Sequence, residues 1–321
     1  MGRRRTHAVT LADVARRAGV SVATASKALN ARDQVAATTR ERVLQAAGEL
    51  SFSLGGRTRA IGLLADELGS RFAMPILLGA ETALGLSLLL CPGKPGQLAV
   101  LARHVEGIIV IGYDNDRRPS LPRDIGVPVV YAYAESDHPA DVSVIADDEG
   151  GARLATEHLI TLGRRRIAHI TGPWSFRAAR ERAAGFDAIL TGHGLRAAGG
   201  QPRYGEWSQR WGRHAAADLL AAHPDTDAVF CGNDQIAAGV AQTLHELGRR
   251  IPGDVALVGY DNWTEFAADC RPPLTSVDLN LRGLGATAVR ILLDGTPAHG
   301  VHRHPCDLVI RASTVSPPAG G

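Results

Sequence analysis

Residues 10–30 read TLADVARRAGVSVATASKALN, two short helical patterns on either side of the turn Ala18-Gly19-Val20-Ser21. Thr10 precedes Leu11, Val14, Ala15 and Ala18, an i, i+3, i+4, i+7 apolar stripe, and Asp13 stands where a capping box needs its acid. Gly19 can take the left-handed conformation that stops the first helix, and Ser21 can cap the second. In that second helix Ala25, Ala28 and Leu29 face inward, leaving Val22, Ala23, Ser26 and Lys27 outward. Thr38 and Glu41 repeat the capping-box pattern and open a third helix with Val43, Leu44, Ala47 and Leu50 on its apolar side. Three such helices, with a Gly turn between the first two, make a helix-turn-helix, whose second helix fits the major groove of DNA.

Charge agrees with that reading. The first 59 residues hold eleven Lys/Arg and four acids, a net +7, whereas the whole chain carries only +2. A basic head on a mildly acidic body is what phosphate binding at one end asks for. The 321 residues suffice for such a head and one or two α/β domains. Leu84–Leu90 is too short and Gly-broken to span a bilayer, and no signal peptide precedes Thr10, so a cytoplasmic protein without membrane contact is expected. The cysteines Cys91, Cys231, Cys270 and Cys306 fit no metal or disulfide spacing, and His299, His302 and His304 sit in a Gly/Pro-rich loop without an accompanying carboxylate or Cys. No Gly-rich phosphate loop, nucleophile elbow or metal constellation is present, so neither catalysis nor a cofactor is expected.

Beyond Ala60, short β-branched or Leu-rich runs alternate with helical stretches. Strands are expected at 60–66, 87–91, 107–112, 127–133, 166–172, 227–233 and 256–262, with helices at 75–86, 149–162, 177–192, 208–222, 235–247 and 281–293. This alternation predicts two doubly wound parallel-sheet lobes, split near Gly163. Ligands of such folds bind beyond the carboxyl ends of strands, which singles out Asp66, Tyr133, Trp174, Asn233, Asp234, Asp261 and Asn262. All four tryptophans, Trp174, Trp207, Trp211 and Trp263, lie in the second half of a chain only 5% aromatic. Clustered there, they suit the apolar faces of pyranose rings, with Trp211 equally readable as core.

A helix-turn-helix head feeding a two-lobed α/β body resembles the lactose/galactose repressor family of bacterial transcription regulators. The resemblance covers nearly the whole chain. It rests on VTLADVARRAGVSVATASKALN (9–30), TTRERVLQAAGEL (38–50), RTRAIGLL (57–64), EGIIVIG (106–112), DDEGGARLATEHLITLGRRRIAHITGP (147–173), RAARERAAGF (177–186), GEWSQRWG (205–212), AVFCGNDQIAAGV (228–240), VALVGYDN (255–262) and PPLTSVDLN (272–280), in that order.

The resemblance implies a head at 1–52, a hinge at 53–59 and a periplasmic-binding-protein-like body at 60–321. The first lobe is expected at about 60–163 and 281–297, and the second at about 164–280 and 298–314. It implies a homodimer on a pseudo-palindromic operator; the chain ends in Pro317-Pro318-Ala319-Gly320-Gly321 rather than a heptad helix, so no tetramer is expected. Val22, Ala23 and Lys27 fall where the family reads bases. The first two suit a thymine methyl, and Lys27 can donate to guanine, although many relatives place Arg there for a bidentate contact. Thr10, Ser21, Thr24 and Asn30 fall where phosphates are held. In the body, Trp207 occupies the sugar-stacking position, Arg182 and Asn233 match donors to sugar hydroxyls, and Asp261 matches the carboxylate that accepts from two of them. A buried carboxylate there favours a neutral sugar over a phosphosugar. Purine-responsive relatives keep a nucleobase effector as an alternative, stacked on Tyr133 and the tryptophans.

One stretch departs from the pattern. Phe52-Ser53-Leu54-Gly55-Gly56 joins the third helix almost directly to Arg57, about eight residues shorter than the family's hinge helix. Leu54 is the candidate minor-groove wedge, but two glycines with so few neighbours do not sustain a helix. The short hinge motivates a rival reading, a sugar sensor whose head does not engage DNA productively.

Overall fold

The structure is a computed structural model and describes residues 10–29, 35–50, 60–65, 69–84, 87–92, 97–294 and 299–315. Asn30, Leu54 and Asp66, three of the candidate site residues, lie outside these.

The head consists of α1 (Leu11–Ala18), α2 (Val22–Leu29) and α3 (Ala37–Glu49). Asp13 accepts from the Thr10 backbone N–H at 2.9 Å and from its hydroxyl at 2.6 Å, tying down the start of α1. Gly19 stops α1 at φ 65°, and Arg42 of α3 donates to the Ala18 carbonyl at 2.7 Å. Ser21 Oγ accepts from the Thr24 N–H at 3.1 Å and so caps α2. Val14, Ala15, Ala18, Ala25, Ala28, Val43, Ala46 and Ala47 form the small core. Two expectations fail in α3. The Ala36 carbonyl accepts from Thr39 and Arg40, so Thr38 lies inside the first turn and is not the cap. The buried stripe therefore runs through Ala46 and Ala47, which turns Leu44 outward at 51% exposure.

The body runs β1 (Ala60–Ala65), α4 (Ala73–Leu84), β2 (Ser87–Pro92), α5 (Gln97–Ala102), β3 (Gly107–Ile111), β4 (Arg117–Arg118), β5 (Val129–Ala132), β6 (Glu135–Ser136) and β7 (Val142–Ala146). It continues with α6 (Asp148–Thr161), β8 (Ile167–Thr171), α7 (Arg177–Gly192), β9 (Arg203–Tyr204), α8 (Gln209–Ala222), β10 (Ala228–Cys231) and α9 (Asp234–Glu246). The last elements are β11 (Ala256–Tyr260), α10 (Thr264–Ala267), β12 (Thr275–Asp278), α11 (Leu281–Asp294), β13 (Gly300–His304) and β14 (Asp307–Val309). The first sheet is ordered β13-β7-β5-β3-β1-β2 and the second β14-β12-β11-β10-β8-β9. Every pairing in them is parallel except β12 with β14. Strands such as Gly107–Ile111 are buried at every position, as strands covered by helices on both faces must be. One apolar cluster runs from Ile61 and Ile109 of the first sheet through Leu159 and Phe186 to Phe230 and Tyr260 of the second, joining the lobes into one body.

The chain changes lobes earlier than Gly163. Helix α6 packs on α7 and touches β12, so the first crossing falls at Asp147. Asn280 makes the second crossing, since α11 packs on α4 over the first sheet. The third lies between β13 and β14: Gly300–His304 pairs with β7 of the first sheet, not with the second lobe as expected. The sequence reading missed β13 because its residues alternate between half-buried and exposed at an edge and carry His and Arg rather than an apolar run.

Candidate functional site

The carboxyl ends of both sheets face a shared cleft, a cavity of about 320 Å³. That volume lies at the small end of the range for small-molecule sites, about 300–1,000 Å³. From the first lobe come Arg71, Phe72, Tyr113, Asp114, Asn115 and Tyr133, and from the second Phe176, Arg182, Trp207, Asn233, Gln235 and Asp261.

Asp261 follows β11 in a backbone conformation, φ 96°, that side chains rarely adopt, and Tyr133 follows β5 at φ 67°. Asp261 Oδ2 accepts from Arg71 Nη2 across the cleft at 2.6 Å. Its Oδ1 is buried and has no hydrogen bond, and the Arg182 guanidinium stands 3.6 Å away. Arg182 is buried, donates through Nε to Asp148 at 2.7 Å and through Nη1 to the Gly232 carbonyl, and lies 3.7 Å from the Tyr260 ring centroid. Burial opposes the Arg182 charge, but Asp148 and Asp261 more than offset it and hold its pKa above the ordinary value. Asn115 of the first lobe donates to the same Asp148, so a buried ion pair of the second lobe is buttressed from the first.

Asn233 caps α9, its Oδ1 accepting from the Ile236 N–H at 2.8 Å, which leaves the amide as a donor to the cleft. Trp207 forms an aromatic wall and meets Phe176 edge-on at 6.0 Å. Gly172 makes room for the indole, because a Cβ there would lie 2.1 Å from it. Opposite, Phe72 and Tyr133 stack at 4.9 Å.

The structure thus brings Tyr133, Arg182, Trp207, Asn233 and Asp261 together in one cleft. Trp174 is not in its lining: it stands 60% exposed, edge-on to Tyr204 at 5.0 Å. Trp263 lies beyond Arg71, whose guanidinium covers its ring at 4.4 Å, and does not line this cleft either. Trp211 donates to the Thr171 carbonyl at 2.9 Å and packs on the second lobe's core. Sequence reasoning missed Arg71, Phe72, Tyr113, Asp114, Asn115, Phe176 and Gln235. Each follows a strand's carboxyl end or begins a helix, so extending the strand-end rule by a few residues finds them.

On the head, the outward side of α2 carries Val22, Ala23 and Lys27, all exposed, whereas Ser26 is half-buried. Among the described residues, no helix of the chain is long and apolar enough to cross a membrane.

Comparison with known proteins fixes what these two parts are. Residues 10–53 match the family described as bacterial regulatory proteins, lacI family, and residues 156–314 match a periplasmic binding protein-like domain. The chain is 35% identical to the HTH-type transcriptional regulator CelR of Thermobifida fusca, over 89% of this chain and 91% of that protein. It belongs to the lacI family. The lactose operon repressor of Escherichia coli (strain K12) is 32% identical over 96% of this chain and 91% of its own length. Among solved structures, a CelR–cellobiose complex matches with a TM-score of 0.62 and 34% identity, covering 95% of this chain and 99% of that one. The lac repressor dimer bound to operator and the anti-inducer ONPF matches at 0.64 and 30%, covering 97% and 100%. This lacI-family protein is accordingly a DNA-binding transcriptional regulator with a ligand-binding body, and not an enzyme.

Proposed function

We propose that this regulator is a repressor that binds a pseudo-palindromic operator as a homodimer, and that a neutral saccharide between the lobes lowers its affinity for that operator. The observation that carries the ligand class is Asp261, a carboxylate with one buried oxygen that has no hydrogen bond, in the lining of a cleft walled by Trp207 and the Phe72–Tyr133 pair. A pyranose offers what this arrangement takes: hydroxyls for a carboxylate and an amide, and an apolar face for an indole. Arg71 and Arg182 are already engaged with Asp261 and Asp148, so they leave no uncompensated positive charge for a phosphate. That a CelR relative was solved with cellobiose supports the same class. PurR regulators of Vibrio species, 31–32% identical, keep a purine as the second reading.

Because the cleft is bounded by both lobes, ligand changes their relative energy and with it the spacing of paired heads. Couplings of this kind are about 1–3 kcal/mol, roughly 5- to 150-fold in affinity, and act equally in both directions. The head regions read bases through Val22, Ala23 and Lys27 and hold phosphates through Thr10, Ser21, Thr24 and Asn30. Of the described members of this set, α2 carries all but Thr10 and the capping Ser21. Calorimetry against mono- and disaccharides and purine bases tests the ligand class, repeated with Asp261→Asn. Loss of a charge-assisted hydrogen bond should cost about 1.5–3 kcal/mol of saccharide affinity. Purine binding with no saccharide binding overturns the sugar assignment.

A further inference from the structure

The ion pairs that join the two lobes are not equivalent. Arg177 with Glu135 and Arg303 with Glu181 meet outside the lining of the cleft, where a ligand does not reach them. Arg71 of the first lobe, by contrast, donates to Asp261 Oδ2 of the second at 2.6 Å, and both residues line the cleft. We propose that Arg71 is an internal competitor of the effector: its guanidinium holds the place on Asp261 that ligand hydroxyls take, so binding exchanges an interlobe ion pair for hydrogen bonds to the ligand. The inference rests on the reading of the cleft as a saccharide site and adds what a saccharide has to displace there.

The two oxygens of Asp261 have different neighbours. Oδ2 is taken by Arg71, whereas Oδ1 is buried and has no hydrogen bond. A pyranose presents adjacent hydroxyls, and a carboxylate that accepts from both uses both oxygens. The approach to Oδ2 from the first lobe is filled by the guanidinium, which lies over the Phe72 ring at 4.3 Å and over the Trp263 ring at 4.4 Å. Oδ2 therefore becomes available when Arg71 lets go.

The surroundings allow that exchange because Asp261 has two cations near it, one fixed and one releasable. Arg182 is buried, bound through Nε to Asp148 at 2.7 Å and through Nη1 to the Gly232 carbonyl, and stays 3.6 Å from Asp261 Oδ1. It goes on compensating the Asp261 charge when Arg71 leaves, so no buried carboxylate is stranded. Arg71 is half-buried, and Asp261 is the one acceptor of its side chain among the described residues. Its charge can turn to water at little cost while the stem keeps its place beside the rings.

Such a competitor sets an affinity threshold. The apparent Kd rises by the inverse of the fraction of molecules in which Arg71 has released Asp261, so a pair closed in about nine of ten molecules weakens binding roughly tenfold. A ligand that offers a single hydroxyl to the carboxylate gains too little to displace the guanidinium, which selects for adjacent hydroxyls.

The test is calorimetry on the full chain with a neutral saccharide that the wild-type protein binds. Arg71→Met keeps an unbranched side chain against the two rings but donates no hydrogen bond, and it should bind that saccharide about fivefold or more tightly. Arg71→Lys, which restores a cation, should return to near the wild-type affinity. Salt gives a second reading that needs no substitution. Because the ligand is uncharged, wild-type affinity should rise between about 0.05 and 0.5 M salt as the pair is screened, and that rise should be absent in Arg71→Met. Weaker binding by Arg71→Met makes Arg71 a donor to the ligand and overturns the proposal, as does unchanged binding. Should the variant fail to fold, a wild-type affinity that is flat or falls with salt overturns it equally. A wild-type protein that binds no saccharide at any salt concentration overturns the cleft assignment itself.

Discussion

Asp261 combines features that a purely structural carboxylate has no reason to carry together: burial, an oxygen without a hydrogen bond, and a backbone at φ 96°. Backbone strain of this kind costs about 1–3 kcal/mol and persists where the surroundings enforce it, often at ligand sites. Its neighbour Asp234 has a different burden. Ser276 donates to it at 2.6 Å and the Trp263 N–H at 2.7 Å, but burial, and then the Asp261 charge, push its pKa up to about 7. The folded state therefore holds a proton that the unfolded chain has released. The associated stability is complete below the unfolded pKa near 3.8 and is lost as pH rises through about 7. Urea midpoints measured between pH 4 and 8 should fall with rising pH, with a contribution from this group of up to about 1.4 kcal/mol per pH unit. Asp234→Asn, whose amide can donate to Ser276 while its oxygen accepts from Trp263, should lack that contribution; an unchanged slope would show the proton sits elsewhere. Residues of this kind were only partly legible in the sequence. Asp261, Arg182 and Trp207 stand in quotable motifs, and Tyr133 and Asn233 end strands. Arg71 and Phe72 lie in a stretch without a motif, and only the folded lobes bring them opposite Asp261. Trp174 misled because a rare aromatic at a strand end looks like a wall, yet its ring points past the cleft to Tyr204.

At the scale of elements, the six long helices of the body were legible because their apolar periodicity and caps are local, whereas the short α5 and α10 offer too few residues for a period and β13 depends on an edge partner far away in sequence. Helix contacts were also illegible, although they explain several glycines. Gly79 of α4 and Gly285 of α11 let the two helix backbones touch: added Cβ atoms would lie 1.9 Å from the Arg282 carbonyl oxygen and 2.1 Å from that of Ile76. Backbone cannot yield as a side-chain tip can, so Gly285→Ala should destabilise the fold by about 1–3 kcal/mol despite the better helix propensity of Ala. Chemical denaturation checks this, and a stabilised variant would mean that α4 and α11 separate freely. In the head, α2 makes a complementary prediction. Its cap at Ser21 fixes where the helix begins, which sets Val22, Ala23 and Lys27 on the exposed side. Lys27→Ala should cost roughly 1–3 kcal/mol on the cognate operator and much less on unrelated duplex, as expected for a base contact rather than a phosphate contact. Equal losses on both DNAs in a fluorescence titration would reassign Lys27 to the backbone.

For the whole molecule, the proposed homodimer raises the question of where a second copy would sit. Three chain crossings and the ion pairs Arg71–Asp261, Arg177–Glu135 and Arg303–Glu181 tie the lobes to each other. No further strand pairs with β2 at the outer edge of the first sheet among the described residues. There β2 exposes Leu89 at 39% and Leu90 at 47%, and the helices on the two faces beside it expose Met74 at 49% and Val100 at 58%. Large apolar side chains grouped at one sheet edge suit an association surface, and two-fold pairing there would place two heads for two operator half-sites. Leu90→Glu sets like charges against each other across such a two-fold without touching either core, so the chain should fold normally yet sediment as a monomer at micromolar concentration. Loss of simultaneous engagement should then weaken binding to a full operator by roughly 10²-fold or more, while affinity for a single half-site stays at the wild-type value. If the variant remains dimeric, or if a monomer holds the full operator as tightly as wild type, the paired heads are brought together by some other surface, and coupling between cleft and DNA cannot run through this edge.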